Sequence, residues 1–338
     1  MRDWESVLAA ANRFLLVPSL YEELRKRPDW YRIPADVREY IVYLHDLNAE
    51  RNAVLRAQCA EITFALNDIG IVPVLMKGAV ALFDHAQGMT ASRMMRDIDI
   101  LVPPEREAES VEVLHALGYG VLNKYPDGHH ACGEFFREGD IATVDLHTEL
   151  IDAPYILPGK GVRARSRPLP YDCPPARRPS MTDRMLHLIL HAQIHHLGQF
   201  YHGVVLLDQL YELTRLSDRF GDRIDWDVVA ATMDVYRLTV PLHSYLLAAE
   251  ALLGNPWPLP VPPVPAARRH CRRALAQMET PLLNSLLVPA GNVRAAFAWH
   301  RMQSLYGNSS LYMQVHHILQ FLGKKSARDA VAKIFRYQ

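Results

Sequence analysis

The chain has 338 residues, with 37 Lys and Arg against 37 Asp and Glu, so its formal net charge is zero. Hydrophobic residues make up 49% and charged residues 22%, which excludes a disordered chain and leaves ample apolar material for a core. At about 150 residues per domain the length suggests two domains, and the neutral total lacks the basic excess usual in a nucleic-acid binder.

No uninterrupted apolar run reaches the roughly 18 residues that a membrane helix needs. At the N-terminus, Asp3, Glu5, Asn12 and Arg13 interrupt what a secretory signal would keep apolar. Trp4, Val7, Leu8, Ala11, Phe14 and Leu15 recur at helical spacing instead. Cys59, Cys132, Cys173 and Cys271 form no C-x-x-C pair, the pattern of reduced thiols in a cytoplasmic protein.

Residues 1–70 read as an N-terminal helical segment packing on a core. Val37, Tyr40, Ile41, Leu44, Val54, Leu55, Ile62 and Leu66 fit one long amphipathic helix that follows Pro34 and stops at Gly70. Residues 71–166 read as a small α/β unit. Its first strand, 71–76, ends at Lys77-Gly78, and a second strand alternates acidic and apolar residues from Asp97 to Val102. Pro104 suits the first turn of a helix that stops at Gly118. Two β-prone runs then flank Gly139-Asp140 as an antiparallel hairpin. The Pro-rich stretch 167–179 reads as a domain boundary. Beyond it, 180–338 reads as a helical domain, opened by a cap at Ser180 with Asp183 and expected to form the other wall of a cleft. The fold class expected is α+β, with a small mixed sheet between helical ends.

Side chains alternate along a strand, so Asp97 and Asp99 share one face while Ile98 and Ile100 share the other. Two such carboxylates repel unless a cation lies between them, and Mg²⁺ favours oxygen ligands shared with substrate phosphates. Asp145, in Thr-Val-Asp-Leu-His, is a third candidate from a later strand. Three carboxylates on neighbouring strands, after a strand that turns at a glycine, fit metal-assisted phosphoryl or nucleotidyl transfer. Lys77 would supply a point charge and Gly78 a close backbone approach to phosphate. An isolated D-x-D is more often a solvated edge, and the combination carries the argument.

The segment 74–102, with Lys77-Gly78, Arg93 and Asp97-x-Asp99, resembles the nucleotidyltransferase superfamily of the polymerase-beta type. More narrowly it resembles the bacterial NTP_transf_5-like group, through Asp145-Leu146-His147 and a His-containing helical segment with His191, His195 or His196, followed by Asp208. The similarity spans about 71–215. It implies a nucleotidyltransferase core with Asp97, Asp99 and Asp145 as catalytic, metal-binding residues. It also implies that Lys77, Gly78 and Arg93 meet the nucleotide, that Mg²⁺ (or Mn²⁺) is the cofactor, and that an NTP, by default ATP, is a substrate. Gly78-Ala79 stands where the superfamily has Gly-Gly or Gly-Ser, and Thr148 where the group has an aromatic residue.

His187, His191 and His195 lie four apart on one helical face. They are open to three readings: core histidines satisfied by hydrogen bonds, a transition-metal face, or an acceptor site that also takes in His147. No HExxH signature accompanies them, which favours the first. The last segment, 323–338, is basic and reads as a solvated helix face or an anion-binding surface. The reading is of a Mg²⁺-dependent transferase that moves a nucleoside monophosphate to a small-molecule, peptide or protein acceptor. A catalytically inactive nucleotide-binding protein and a phosphotransferase are the alternatives.

Overall fold

The structure, a computed structural model, describes residues 3–83, 90–125, 129–170, 174–195, 199–296 and 298. Cys173, His196 and the basic segment 323–338 lie outside them. The chain divides into two compact units. The first is Met1–Leu150 with Pro158–Arg184, and the second is Ile151–Leu157 with the residues from Met185 onward.

The first unit opens with helices α1 (Trp4–Arg13), α2 (Val17–Leu24) and α3 (Ala35–Asp68). The apolar stripe of α3 is real, but Tyr40 and Val54 lie outside it, exposed on the far side. Gly70 ends α3 in a Schellman motif: its φ is +78°, and Ile71 N donates to Leu66 O at 2.9 Å. Then come β1 (Val74–Leu75), α4 (Lys77–Phe83), β2 (Asp97–Leu101) and α5 (Glu107–Ala116). Gly118 closes α5 by the same device, with φ +90° and Tyr119 N on Leu114 O at 2.9 Å. Strands β3 (Gly120–Lys124), β4 (Ala131–Phe136) and β5 (Thr143–His147) complete the main sheet, β4 and β5 forming the expected hairpin.

Two short strands lie in the Pro-rich stretch, β6 (Arg167–Pro168) and β7 (Arg177–Arg178), with α6 (Gly159–Arg165) before them. The stretch therefore adds to the sheet. Proline forbids a helix and tolerates an edge, and Pro168 sits on the outermost strand. Strand β3 also goes unannounced by the sequence, because all five residues are exposed and show no alternation. The resulting order is β3-β4-β5-β2-β1-β7-β6. Strands β2 and β5 run parallel, and β1 pairs antiparallel with β2.

One face of this mixed sheet is apolar. Ile98, Ile100, Val144 and Leu146 are buried in one cluster with Leu55, Cys59, Ile62 and Leu66 of α3. Each such side chain contributes about 2 kcal/mol of burial, so α3 fixes which face of β2 turns away from it. Polar bonds pin the hairpin to the same helix. Gln58 donates to Ala142 O at 2.8 Å and to Tyr119 Oη at 3.1 Å, while Arg137 bridges Glu61 and Asp140.

Helix α7 (Met181–Gln193) begins at the expected cap, with Asp183 N bonded to Ser180 Oγ at 3.1 Å. The second unit continues with α8 (Gln199–His202), α9 (Leu207–Phe220), α10 (Trp226–Val235), α11 (Thr239–Leu253), α12 (Pro265–Glu279) and α13 (Pro281–Ala296). None of the described helices is long and apolar enough to cross a membrane.

Candidate active site

The sheet face turned away from α3 carries the acidic residues. Asp99 and Asp145 are direct partners in the parallel β2–β5 ladder, and Asp97 lies two residues before Asp99 on the same face. Register also brings Glu134 of β4 beside Asp145. His147 shares the face with Asp145, so it lies within the site and not beside it.

Asp99 is the buried centre, 1% exposed. Lys77 Nζ donates to its Oδ1 at 2.6 Å, and His147 Nε2 lies 3.0 Å from the same oxygen. Burial raises the cost of an ionised Asp99, but Lys77 and the His147 hydrogen bond outweigh it and hold the carboxyl well below its usual range. Burial pushes His147 down to about 4 despite Asp99, so its ring is neutral at pH 7. With Nε2–H donating to Asp99, Nδ1 is left as an acceptor. Asp145 moves the other way. Burial, then Asp99 and Asp97, raise its carboxyl to about 7. Asp97 is raised too, by burial and by Asp99, with Lys77 and Arg93 opposing.

The Lys77-Gly78 turn is tight in an unexpected place. Lys77 takes the left-handed φ of +42°, while Gly78 itself does not adopt a left-handed φ. Gly78 is needed for space, because a Cβ there would lie 2.7 Å from Met95 Cγ and 3.1 Å from Arg93 Nε. Its missing side chain lets the segment before β2 close onto the turn.

That segment is held from below by residues the sequence analysis missed. Asn48 Nδ2 donates to Ala91 O at 2.6 Å and to Arg93 O at 3.1 Å. Asn52 Nδ2 donates to Thr90 O at 2.7 Å and to Arg93 O at 2.9 Å. Ser19 Oγ adds a bond to Ser92 O at 3.1 Å. The signal was present: Asn48 and Asn52 interrupt the apolar stripe of α3 four residues apart, where buried amides must find partners.

The site fits a cation. Asp145 Oδ1 and His147 Nδ1 are buried and have no hydrogen-bond partner among the described residues. Asp99, Asp145 and His147 each offer a ligand atom, and those atoms lie within 4.8 Å of one another. Asp97 is outside that tight group, two residues before Asp99 on the same face of β2. Hard oxygen donors suit Mg²⁺ or Mn²⁺, and the imidazole already committed to Asp99 acts as its support.

The other expected residues lie in the second unit. His187 and His191 rings are 6.0 Å apart and His191 and His195 rings 5.2 Å apart, so the shared face is confirmed. His195 Nδ1 is 3.4 Å from Asp152 Oδ2, and His191 Nδ1 is 3.5 Å from Gln209 Nε2. Those contacts accord with hydrogen-bonded histidines. Asp208 stands on α9 in the first turn.

The model of a protein family described as "uncharacterised nucleotidyltransferase" matches residues 1–254. The match is wider than the motif-bearing span 71–215 and takes in the N-terminal helices that hold residues 90–93. None of the curated proteins matches the chain.

Proposed function

The chain belongs to this nucleotidyltransferase family, and from that premise we propose that it transfers a nucleoside monophosphate from an NTP to an acceptor, with Mg²⁺ bound at Asp97, Asp99 and Asp145 and pyrophosphate released. The observation that carries the proposal is the register of Asp99 opposite Asp145, with Asp145 Oδ1 buried and unsatisfied among the described residues. A divalent ion there would neutralise the triphosphate and polarise the acceptor oxygen. Lys77 and Arg93 would bind phosphate oxygens, a role that takes Lys77 away from Asp99 as a cation arrives. His147 would keep Asp99 oriented. Asp145, whose carboxyl titrates near neutrality without metal, would accept the proton of an acceptor hydroxyl.

ATP is the nucleotide to try first, and the second unit, with its His191 and His195 face, is the proposed source of acceptor selection. The neutral charge gives no support for a long nucleic-acid acceptor. The test is pyrophosphate release from each of the four NTPs with Mg²⁺, followed by mass analysis of cell metabolites and proteins for an added nucleotide. Release of nucleoside diphosphate instead would point to phosphoryl transfer, and no release with any NTP would reject catalysis.

One observation favours a second reading. Asp99 Oδ1 already has two partners, Lys77 and His147. If that arrangement persists with nucleotide present, the site binds NTP without turnover. NTP titration with and without Mg²⁺ separates the two readings: an affinity indifferent to Mg²⁺ supports the second.

A further inference from the structure

The acidic sheet face continues past Asp145 to a stack of rings. Asn123 Nδ2 on β3 donates to Glu134 Oε2 on β4, and Glu134 is the ladder partner of Asp145, so all three share that face. Tyr125 follows β3 directly and lies two residues after Asn123, which turns it to the same side. Its ring stacks on His129, with centroids 4.3 Å apart and planes at 19°. His129 in turn lies 4.1 Å from the His130 ring, and His130 lies 5.3 Å from His147. These rings lead from the buried hydrogen bond of Asp99 out to a half-buried phenol. The backbone holds the row in place. Ala131 N and O lie 3.1 and 3.2 Å from His129 Nδ1, and His130 O accepts from Thr148 N and Glu149 N, both at 3.0 Å. Burial, then Asp145 and Glu134, raise the Tyr125 hydroxyl, as expected of a phenol beside those carboxyls.

The order of the strands decides which substrate meets these rings. Phosphoryl and nucleotidyl transfers place the attacking and leaving oxygens roughly in line, on opposite sides of the phosphorus. The sheet runs β3-β4-β5-β2-β1 from this edge inward. Lys77, assigned to the triphosphate, follows β1, and Asp145, assigned to the acceptor proton, is on β5. Tyr125 lies beyond Asp145, at the β3 edge. The rings are thus on the acceptor's side of the carboxylates, away from the departing pyrophosphate. What they can hold follows from their chemistry. A stacked and immobilised pair of rings offers a flat π surface to another flat ring at little entropic cost. The charged side chains that β4 and β5 turn to this face are the carboxyl groups of Glu134 and Asp145, which favour a cation over an anion.

We propose that Tyr125 and His129 bind the aromatic ring of the acceptor, and that the acceptor is a small hydroxyl-bearing aromatic amine whose ammonium group is met by Glu134. The acceptor's place beside Tyr125 rests on the roles proposed above for Lys77 and Asp145. Calorimetric titration of the full chain with tyramine, without metal or NTP, tests the ring site by a readout that needs no turnover. Saturable tyramine binding is expected, at least about fivefold tighter than that of 4-hydroxyphenylacetate, whose charge is reversed, or of ethanolamine, which lacks the ring. It should weaken about three- to tenfold in Tyr125→Leu, the loss of one stacked pair, and persist in Tyr125→Phe. Glu134→Gln should narrow the preference for tyramine over 4-hydroxyphenylacetate. No saturable tyramine binding, a preference for the anion, or an affinity unchanged in Tyr125→Leu overturns the proposal. So does competitive displacement of tyramine by ATP with Mg²⁺, which would put the nucleobase on the rings. The wild-type comparisons decide the matter even if Tyr125→Leu does not fold. Tyramine bound by a chain that releases no pyrophosphate from any NTP would reject the transfer reaction while upholding the ring site. Pyrophosphate released by a chain that binds no tyramine would reject the ring site alone.

Discussion

Lys77 and Asp99 form a 2.6 Å ion pair in which the lysine takes a left-handed backbone conformation and the aspartate is 1% exposed. The pair joins the turn after β1 to the centre of β2. It gives the most buried carboxylate of the site a fixed cation, and leaves the part-exposed Asp145 to bear the repulsion of its neighbours. One carboxyl is thereby held low and the other high across a single ladder rung. Such a split separates a permanently ionised carboxylate from a carboxyl that exchanges a proton near neutral pH.

Asp145→Asn should abolish metal-dependent turnover, by about 10²–10³-fold or more. Asp97→Ala should do the same, with the fold intact in both. Asp145→Asn should also stabilise the metal-free protein. The folded carboxyl is raised to about 7 from 3.8, so the folded state binds more protons and stability falls as pH rises through this window. The amide removes that penalty, worth on the order of 1–2 kcal/mol once part-exposure is allowed for. Melting curves at pH 8 and pyrophosphate release check the two halves; retained activity would reject the assignment.

Divalent-ion binding should release protons. Asp145 keeps its proton through much of the range below about 7, and a metal needs the carboxylate. Mg²⁺ titrations at pH 6 in two buffers of different ionisation enthalpy should differ by nearly one proton per ion. At pH 8 the difference should shrink, and affinity should rise between the two. Equal heats in both buffers at pH 6 would show that Asp145 is not a ligand.

Lys77→Met should destabilise the chain at pH 7 by about 3 kcal/mol, because it strands a buried carboxylate. The wild-type Asp99 pKa is depressed, so its contribution is present above about pH 4 and lost only as pH falls further. In the variant the Asp99 pKa rises, and the deficit should diminish on going from pH 7 to 4.5. Denaturant unfolding at the two pH values measures this. A constant deficit would mean that packing, and not the ion pair, is lost.

Asn52→Ala removes two donors from the carbonyls of Thr90 and Arg93. The expected cost is about 1–3 kcal/mol. Turnover should suffer through a raised KM for NTP, since Arg93 is positioned by this segment, while kcat changes little. A fall in kcat with KM unchanged would place the effect on the carboxylates instead.

Much of this was legible along the chain. Period-two alternation at Asp97–Leu101 set two carboxylates on one face and two isoleucines on the other, because a strand turns each side chain by half a cycle. Gly70 and Gly118 marked helix ends, and Ser180 with Asp183 a helix start, since each depends on hydrogen bonds within one turn. The Lys-Gly turn and the Asp-Leu-His strand pointed to the family. None of these facts requires knowing what lies nearby in space.

The tertiary structure decided what the residues do to one another. That β5 lies parallel to β2, with Asp145 opposite Asp99, depends on pairing between distant segments that no local pattern encodes. So does the burial that brings His147 under Asp99, the hold of Asn48 and Asn52 on residues 90–93, and the strands hidden in the Pro-rich stretch. The proton affinities followed from those placements. Identical aspartate side chains, two residues apart or facing across a rung, separate only because folding gives each a different share of cation, neighbour and solvent.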